Sequence, residues 1–283
     1  MGFVNVRPAA WVVALTALGA GCGGGGSTLP AAPSGTVVSI AVASSGATIY
    51  MGASEVFTAV ATYSSGGSET IRTGAWSTDA PSIATVELGT GKVTGVGSGN
   101  VTVSVDYQGV RGSRTVRSQP NYSGVWNADS TLPNMGYTVT SCDQTEGFAD
   151  ANVCSNFTGK TLPFAFQFSQ TVDVLSGNTI LGQVGTTNFT STVQLDGSVT
   201  VISQAFLGTT IEIDVEWDLI CKQAGTIGGT MTQTWQDQAT TGRMIVKADL
   251  HPPTRIAAAL ATSRARLARP ASLADVVAAV VRR

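Results

Sequence analysis

Four carboxylates recur at every second residue, Glu212, Asp214, Glu216 and Asp218, alternating with Ile211, Ile213, Val215 and Trp217. A strand puts such residues on one face, with neighbours about 7 Å apart. Oxygen ligands of this kind are what a calcium or cationic-ligand surface uses. Each neighbouring pair repels by about 0.6 kcal/mol in water, and by about 2.4 kcal/mol at an effective dielectric of 20. Three such pairs in a low-dielectric site would cost about 7 kcal/mol, comparable to the stability of a whole domain. The acids are therefore expected outside and solvated, with Trp217 in an apolar interior.

The other candidates for chemistry are sparse. His251, followed by Pro252 and Pro253, is the single histidine of the chain. A general base needs a nucleophile within hydrogen-bond reach, and no G-x-S-x-G elbow occurs, so His251 reads as exposed and structural. Asp143, Glu146 and Asp150 offer oxygen ligands but fail the spacing of a calcium-binding loop, and read as a solvated turn. Gly89-Thr90-Gly91-Lys92 looks like a phosphate loop until Val93 replaces the required Ser/Thr. The dinucleotide pattern fails at Thr94, where the third glycine belongs. The sequence assigns no catalytic residue, no metal site and no cofactor, and the protein is not expected to be an enzyme. The ligand-binding residues are unknown from sequence.

Charge divides the chain into blocks. Residues 36–118 carry five acids and five bases, residues 121–253 twelve acids and four bases, and residues 254–283 six arginines against Asp275. The total of −2 argues against a nucleic-acid partner held by phosphate neutralisation. Charged residues are only 12% of the 283, about half the usual globular share, while 43% are hydrophobic, too many for a disordered chain.

The N-terminus reads as a targeting segment. Arg7 precedes an apolar run over residues 9–20, which is too short to span a membrane as a helix. It ends Leu18-Gly19-Ala20-Gly21-Cys22 and continues into the tether of residues 23–35. This resembles a bacterial lipoprotein signal peptide over residues 1–22, although Leu18 lies four residues before Cys22 where three is preferred. The resemblance implies lipidation of Cys22, membrane attachment through that lipid, and residence in the cell envelope, at the outer membrane. Removing Cys22 leaves Cys142, Cys154 and Cys221, an odd number for an exported chain. One disulfide and one thiol is the simplest outcome, and all three pairings remain open. Closing the loop between Cys142 and Cys154 would contribute about 3 kcal/mol in the entropic account.

Residues 36–118 alternate short apolar runs with Gly/Ser/Asn turns, the pattern of an antiparallel sandwich. Its signposts are Gly52, the run Ala75-Trp76-Ser77-Thr78, and Ser82-Ile83-Ala84-Thr85-Val86. Gly91-Lys92-Val93-Thr94-Gly95-Val96 and Gly99-Asn100-Val101-Thr102-Val103 follow. In this order they resemble a bacterial Ig-like group 2 domain, whose relatives serve as spacers and adhesion modules. Trp76 suits a plug between sheets, and Gly91, Gly95 and Gly99 suit turns that need positive φ.

Residues 121–253 read as a series of antiparallel strands without a helix, among them 136–142, 164–168, 192–196, 198–203, 211–219, 226–235 and 243–250. Gly124-Val125-Trp126 resembles the opening of lipocalin- and avidin-type barrels, which would imply a meander barrel. Residues 254–283 form an Ala/Arg-rich tail with helical spacing in Leu273, Val276, Val277, Val280 and Val281. The expected fold is all-β: an Ig-like β-sandwich, a second antiparallel β-barrel-like domain, and a short helical C-terminal tail. The expected function is surface adhesion or binding on an Ig-like stalk, with a cell-surface protein or carbohydrate as partner. The alternative is a lipocalin-like carrier of a small apolar ligand, which requires a cavity inside the barrel.

Overall fold

The computed structural model describes residues 33–127, 137–148, 153–162, 164–181, 184–207, 210–223, 225–239, 242–250 and 254–256. The chain is nearly all β. Its first part contains β1 (Val37–Ala43), β2 (Thr48–Tyr50), β3 (Ser54–Val56), β4 (Thr58–Tyr63) and β5 (Ser68–Thr70). It continues with β6 (Ala75–Thr78), β7 (Ala84–Val86), β8 (Lys92–Gly95), β9 (Gly99–Tyr107) and β10 (Val110–Gln119). The strands form sheets ordered β1-β4-β5, β2-β10-β9-β6 and β3-β8-β7. Strict alternation in β4 buries Ala59, Ala61 and Tyr63 in one core with Trp76, Val93 and Val103.

Two of the three glycines have the expected positive φ, although Gly99 opens strand β9 instead of lying in a turn. Gly91 has φ +67°, and a Cβ there would lie 2.8 Å from both the Phe57 carbonyl oxygen and Trp76 Cε2. Gly99 has φ +140°, with Ile83 pressed against it. Gly95 is not in a turn. It ends β8 in a bridge to Met51, and a Cβ would meet the Tyr50 carbonyl oxygen at 2.8 Å. Close backbone approach, rather than positive φ, requires glycine there.

The second part comprises β11 (Gly124–Asn127), β12 (Tyr137–Gln144), α1 (Val153–Phe157), β13 (Thr161–Leu162), β14 (Phe164–Thr171) and β15 (Val174–Leu181). It then runs through β16 (Val184–Thr192), β17 (Ser198–Leu207), β18 (Ile211–Gln223), β19 (Thr226–Asp237), β20 (Arg243–Leu250) and β21 (Thr254–Ile256). These strands build one 11-stranded sheet ordered β13-β12-β20-β19-β18-β17-β16-β15-β14-β11-β21. From β14 to β20 it is an antiparallel meander.

The sheet curls on itself. Tyr137 of β12 and Phe164 of β14 lie seven places apart in the strand order, about 34 Å if the sheet were flat. Their ring centroids are 6.4 Å apart. Trp217 of β18 packs on both, at 6.3 Å from Tyr137 and 5.5 Å from Phe164. The expected barrel is thus a half-barrel, and among the described residues its edges β13 and β21 do not pair with each other.

Three local expectations change. Residues 192–196 are not a strand: β16 ends at Thr192, and the Gly197 amide donates to the Gln194 carbonyl at 3.0 Å to close a turn. One helical turn, α1, interrupts the strands. Residues 254–256 pair with β11 as the edge strand β21, so the tail begins later than its composition suggests. The rest of the expected helical tail lies outside the described residues.

Candidate functional site

Side-chain alternation in β18 sends Ile211, Ile213, Val215 and Trp217 inward and leaves Asp214, Glu216 and Asp218 exposed, with Glu212 half-buried. Trp217 is fully buried, as its place in the alternation requires. Neutral donors reach three of the four acids. Thr200 Oγ1 donates to Asp218 at 2.7 Å, and Gln204 Nε2 donates to Asp214 at 2.9 Å and to Glu212 at 3.2 Å. Gln238 Nε2 adds a bond to Glu212 at 3.2 Å. These partners come from β17 and the turn after β19, and strand pairing sets Thr200 opposite Asp218 and Gln204 opposite Asp214. Among the described residues no group of acids, His or Cys has a metal-binding arrangement.

Cys142 and Cys154 form a disulfide with a Cα–Cα distance of 5.2 Å, tying β12 to α1. The Cys154 amide also donates to Gln144 Oε1 at 3.0 Å, so the same short connection is held twice. Cys221 keeps its thiol, buried near the end of β18. Asp143 and Glu146 are exposed beside this bridge. Asp150, His251 and Cys22 lie outside the described residues.

The G-x-W residue Trp126 is fully buried, and its Nε1 donates to the Tyr122 carbonyl at 2.8 Å. Tyr122 in turn donates its hydroxyl to the Gly197 carbonyl at 2.6 Å, and burial raises its phenol well above the ordinary range. The turn around Gly197 is pinned further by Asp196, which accepts from the Ser198 amide at 2.9 Å and its hydroxyl at 2.7 Å. Those bonds hold the Asp196 carboxyl below its usual value.

Sequence reasoning missed the groove on the outer face of β14–β16. Strand register lines up Gln167, Asn178 and Asn188 in one row and Ser169, Ser176 and Thr190 in the next. Together they border a cavity of about 400 Å³. Between the rows, Gly177 stands opposite Phe168 and Phe189, whose rings meet edge-on at 5.6 Å on the inner side. A Cβ at Gly177 would collide with the Gln167 carbonyl oxygen, so glycine permits this close strand approach. The groove offers amides and hydroxyls and carries no charge. Asn178 Oδ1 is buried there without a hydrogen-bond partner among the described residues. No motif marks such a site, because its members come from three strands and meet only through register.

Residues 36–116 match the family model of the bacterial Ig-like domain, group 2. The first part of the chain is that domain. Bacterial Ig-like domains are typically found in extracellular or surface proteins, so this part is a surface or adhesion type of module. No curated protein matches the chain.

Proposed function

We propose that the protein is a non-catalytic, lipid-anchored module of the cell envelope, in which the Ig-like domain is a stalk and the curled sheet binds a surface partner. The observation that carries this reading is the packing inside the half-barrel. Trp217 touches Tyr137, Phe164 and Phe166, and Phe166 stacks on Phe168 at 4.8 Å, so the described interior positions meet ring against ring. A carrier needs that volume for its ligand, and the packing weighs against the lipocalin-like alternative. Recognition then falls to the outer surface. The uncharged amides and hydroxyls of Gln167, Asn188, Ser169 and Thr190 suit a hydroxyl-rich partner, which favours carbohydrate over an acidic or basic protein. Anchoring at Cys22 at the outer membrane is supported by the Ig-like neighbour domain and by the small residues before that cysteine.

Two measurements test the reading. Cell fractionation should find the protein with membranes and the Cys22→Ala variant in the soluble exported fraction; unchanged membrane association refutes the anchor. A panel of immobilised neutral oligosaccharides should retain the protein and lose the Gln167→Ala/Asn188→Ala variant. Absent or unaffected retention overturns the carbohydrate assignment.

A further inference from the structure

The outer face of β17–β18 combines features that call for a cover. Ile202 and Phe206 of β17 are 64% and 50% exposed, and register places them beside Glu216 and Glu212. Isolated exposed apolar residues are ordinary, but here both share one face with the four acids of β18. Among the described residues none of those acids is in an ion pair; the neutral side chains of Thr200, Gln204 and Gln238 donate to Asp218, Asp214 and Glu212. The nearest cations on the face, Arg243 and Lys247, are two strands from Glu212 and Glu216, about 10 Å away. Asp249 extends the negative surface from β20, opposite Thr230, which itself faces Asp218.

The chain carries the complement of this face at its own end. Residues 257–283 hold Arg264, Arg266, Arg269, Arg282 and Arg283 against Asp275, and the stripe Leu273, Val276, Val277, Val280 and Val281 recurs at helical spacing. This segment departs from Ile256 of β21, which is five places from β17 in the strand order. Crossing five strands needs about 24 Å, and seven or eight extended residues cover that distance. Arg264 is the first arginine beyond that span.

We propose that residues 257–283 dock on the outer face of β17–β18, with their arginines opposite Glu212, Asp214, Glu216 and Asp218 and their Leu/Val stripe over Ile202 and Phe206. Each half of the match explains what the other lacks. The acids gain cations, and the Leu/Val stripe gains an apolar surface to cover. Such a clasp also competes with any attraction of the same arginines for anionic lipid.

The test uses the full mature chain with a photoreactive benzoylphenylalanine in place of Val277. Irradiation at low protein concentration should give an intrachain adduct on the peptides spanning residues 198–223. The yield should fall at least fivefold in Glu212→Gln/Asp214→Asn/Glu216→Gln/Asp218→Asn, whose unfolding transition should remain cooperative. It should fall similarly in about 0.5 M salt, where the screening length is about 4 Å. An adduct elsewhere in the chain, a crosslinked dimer, or no adduct overturns the proposal. So does capture of the probe by phosphatidylglycerol vesicles while the neutralised variant behaves as wild type.

Discussion

Arg117 Nη2, near the end of the last strand of the Ig-like domain, donates to the Gln194 carbonyl at 2.7 Å, across the joint between the two parts of the chain. The same nitrogen reaches the Val193 carbonyl at 2.8 Å, and Nη1 lies 4.0 Å from Asp173. Gln119, fully buried, donates to the Val172 carbonyl. Two hairpin turns of the curled sheet are thus held against the end of β10.

The two cores are separate clusters, so residues 36–118 should fold alone as a cooperative all-β unit, but with a lower Tm than in the full chain. Hydrogen bonds to a charged donor contribute about 1.5–3 kcal/mol each, and Arg117 makes two to carbonyls. Arg117→Ala should therefore split unfolding of the full chain into two transitions. Scanning calorimetry checks this, and a wild-type chain that already unfolds in two independent steps would contradict the coupling.

The alternation in β18 makes opposite predictions for its two faces. Trp217→Ala should cost about 3–5 kcal/mol, because it empties a site bordered by Tyr137, Phe164 and Phe166. Asp214→Asn should stay within about 1 kcal/mol of wild type, since a carboxylate on the outer face gains little from any one neighbour. Urea unfolding of the two variants reads both, and a large loss in Asp214→Asn would refute its place on the outer face.

These contrasts mark what the sequence made legible. Trp217 could be placed because period-two alternation over a long strand admits one interior face. Residues 192–196 alternate too, yet Leu195 is 50% exposed in a turn, since Asp196 and Ser198 bond each other locally instead of extending. Local hydrogen bonding of this kind competes with a ladder, and periodicity does not register it. Gln119-Pro120 reads as a joint, because the first apolar pattern closes before it. Its burial depends on carbonyls of turns far along the chain, which no local pattern encodes. The groove of Gln167, Asn178 and Asn188 was invisible for the same reason, as was the choice of Cys154 over Cys221 for Cys142.

Cys142 and Cys154 are separated by 12 residues, so Cys142→Ser/Cys154→Ser should lose about 3 kcal/mol. In the Cys22→Ala background, Cys221 should stay unreactive toward a thiol reagent until the domain unfolds, because it is only 5% exposed. Reagent kinetics against urea concentration checks both, and rapid native labelling would place Cys221 at the surface.

Gly91→Ala tests the Ig-like core. A methyl group there must occupy φ +67° and press on Trp76 and the Phe57 carbonyl. The loss should be about 2–4 kcal/mol, from the backbone conformation together with overpacking. Gly89→Ala, where a Cβ meets nothing within 4 Å, should stay within about 1 kcal/mol of wild type. Equal losses in the two variants would show that the close approach is not what requires glycine at residue 91.

Glu69 gives the Ig-like domain a defined acid limb. Its carboxylate accepts from the Tyr63 hydroxyl at 2.6 Å and the Tyr107 hydroxyl at 2.9 Å, and those bonds hold its pKa below the ordinary 4.5. A depressed pKa means that the folded state favours the ionised form. The resulting stabilisation is present above pH 4.5 and is lost as pH falls through the lower folded value. The same contact raises the Tyr63 phenol above its ordinary 10.0, chiefly through the bond to Glu69, so a second loss sets in on the alkaline side as pH rises through the folded value. Tyr63→Phe removes the shorter bond and should move the acid limb upward toward pH 4.5. It should also abolish the tyrosine contribution to the alkaline limb. Glu69→Gln should flatten the acid limb in this window while leaving the fold intact. Thermal unfolding of residues 36–118 between about pH 3 and pH 6 reads the acid limb directly. A Glu69→Gln domain with an unchanged acid limb would show that other carboxylates set it.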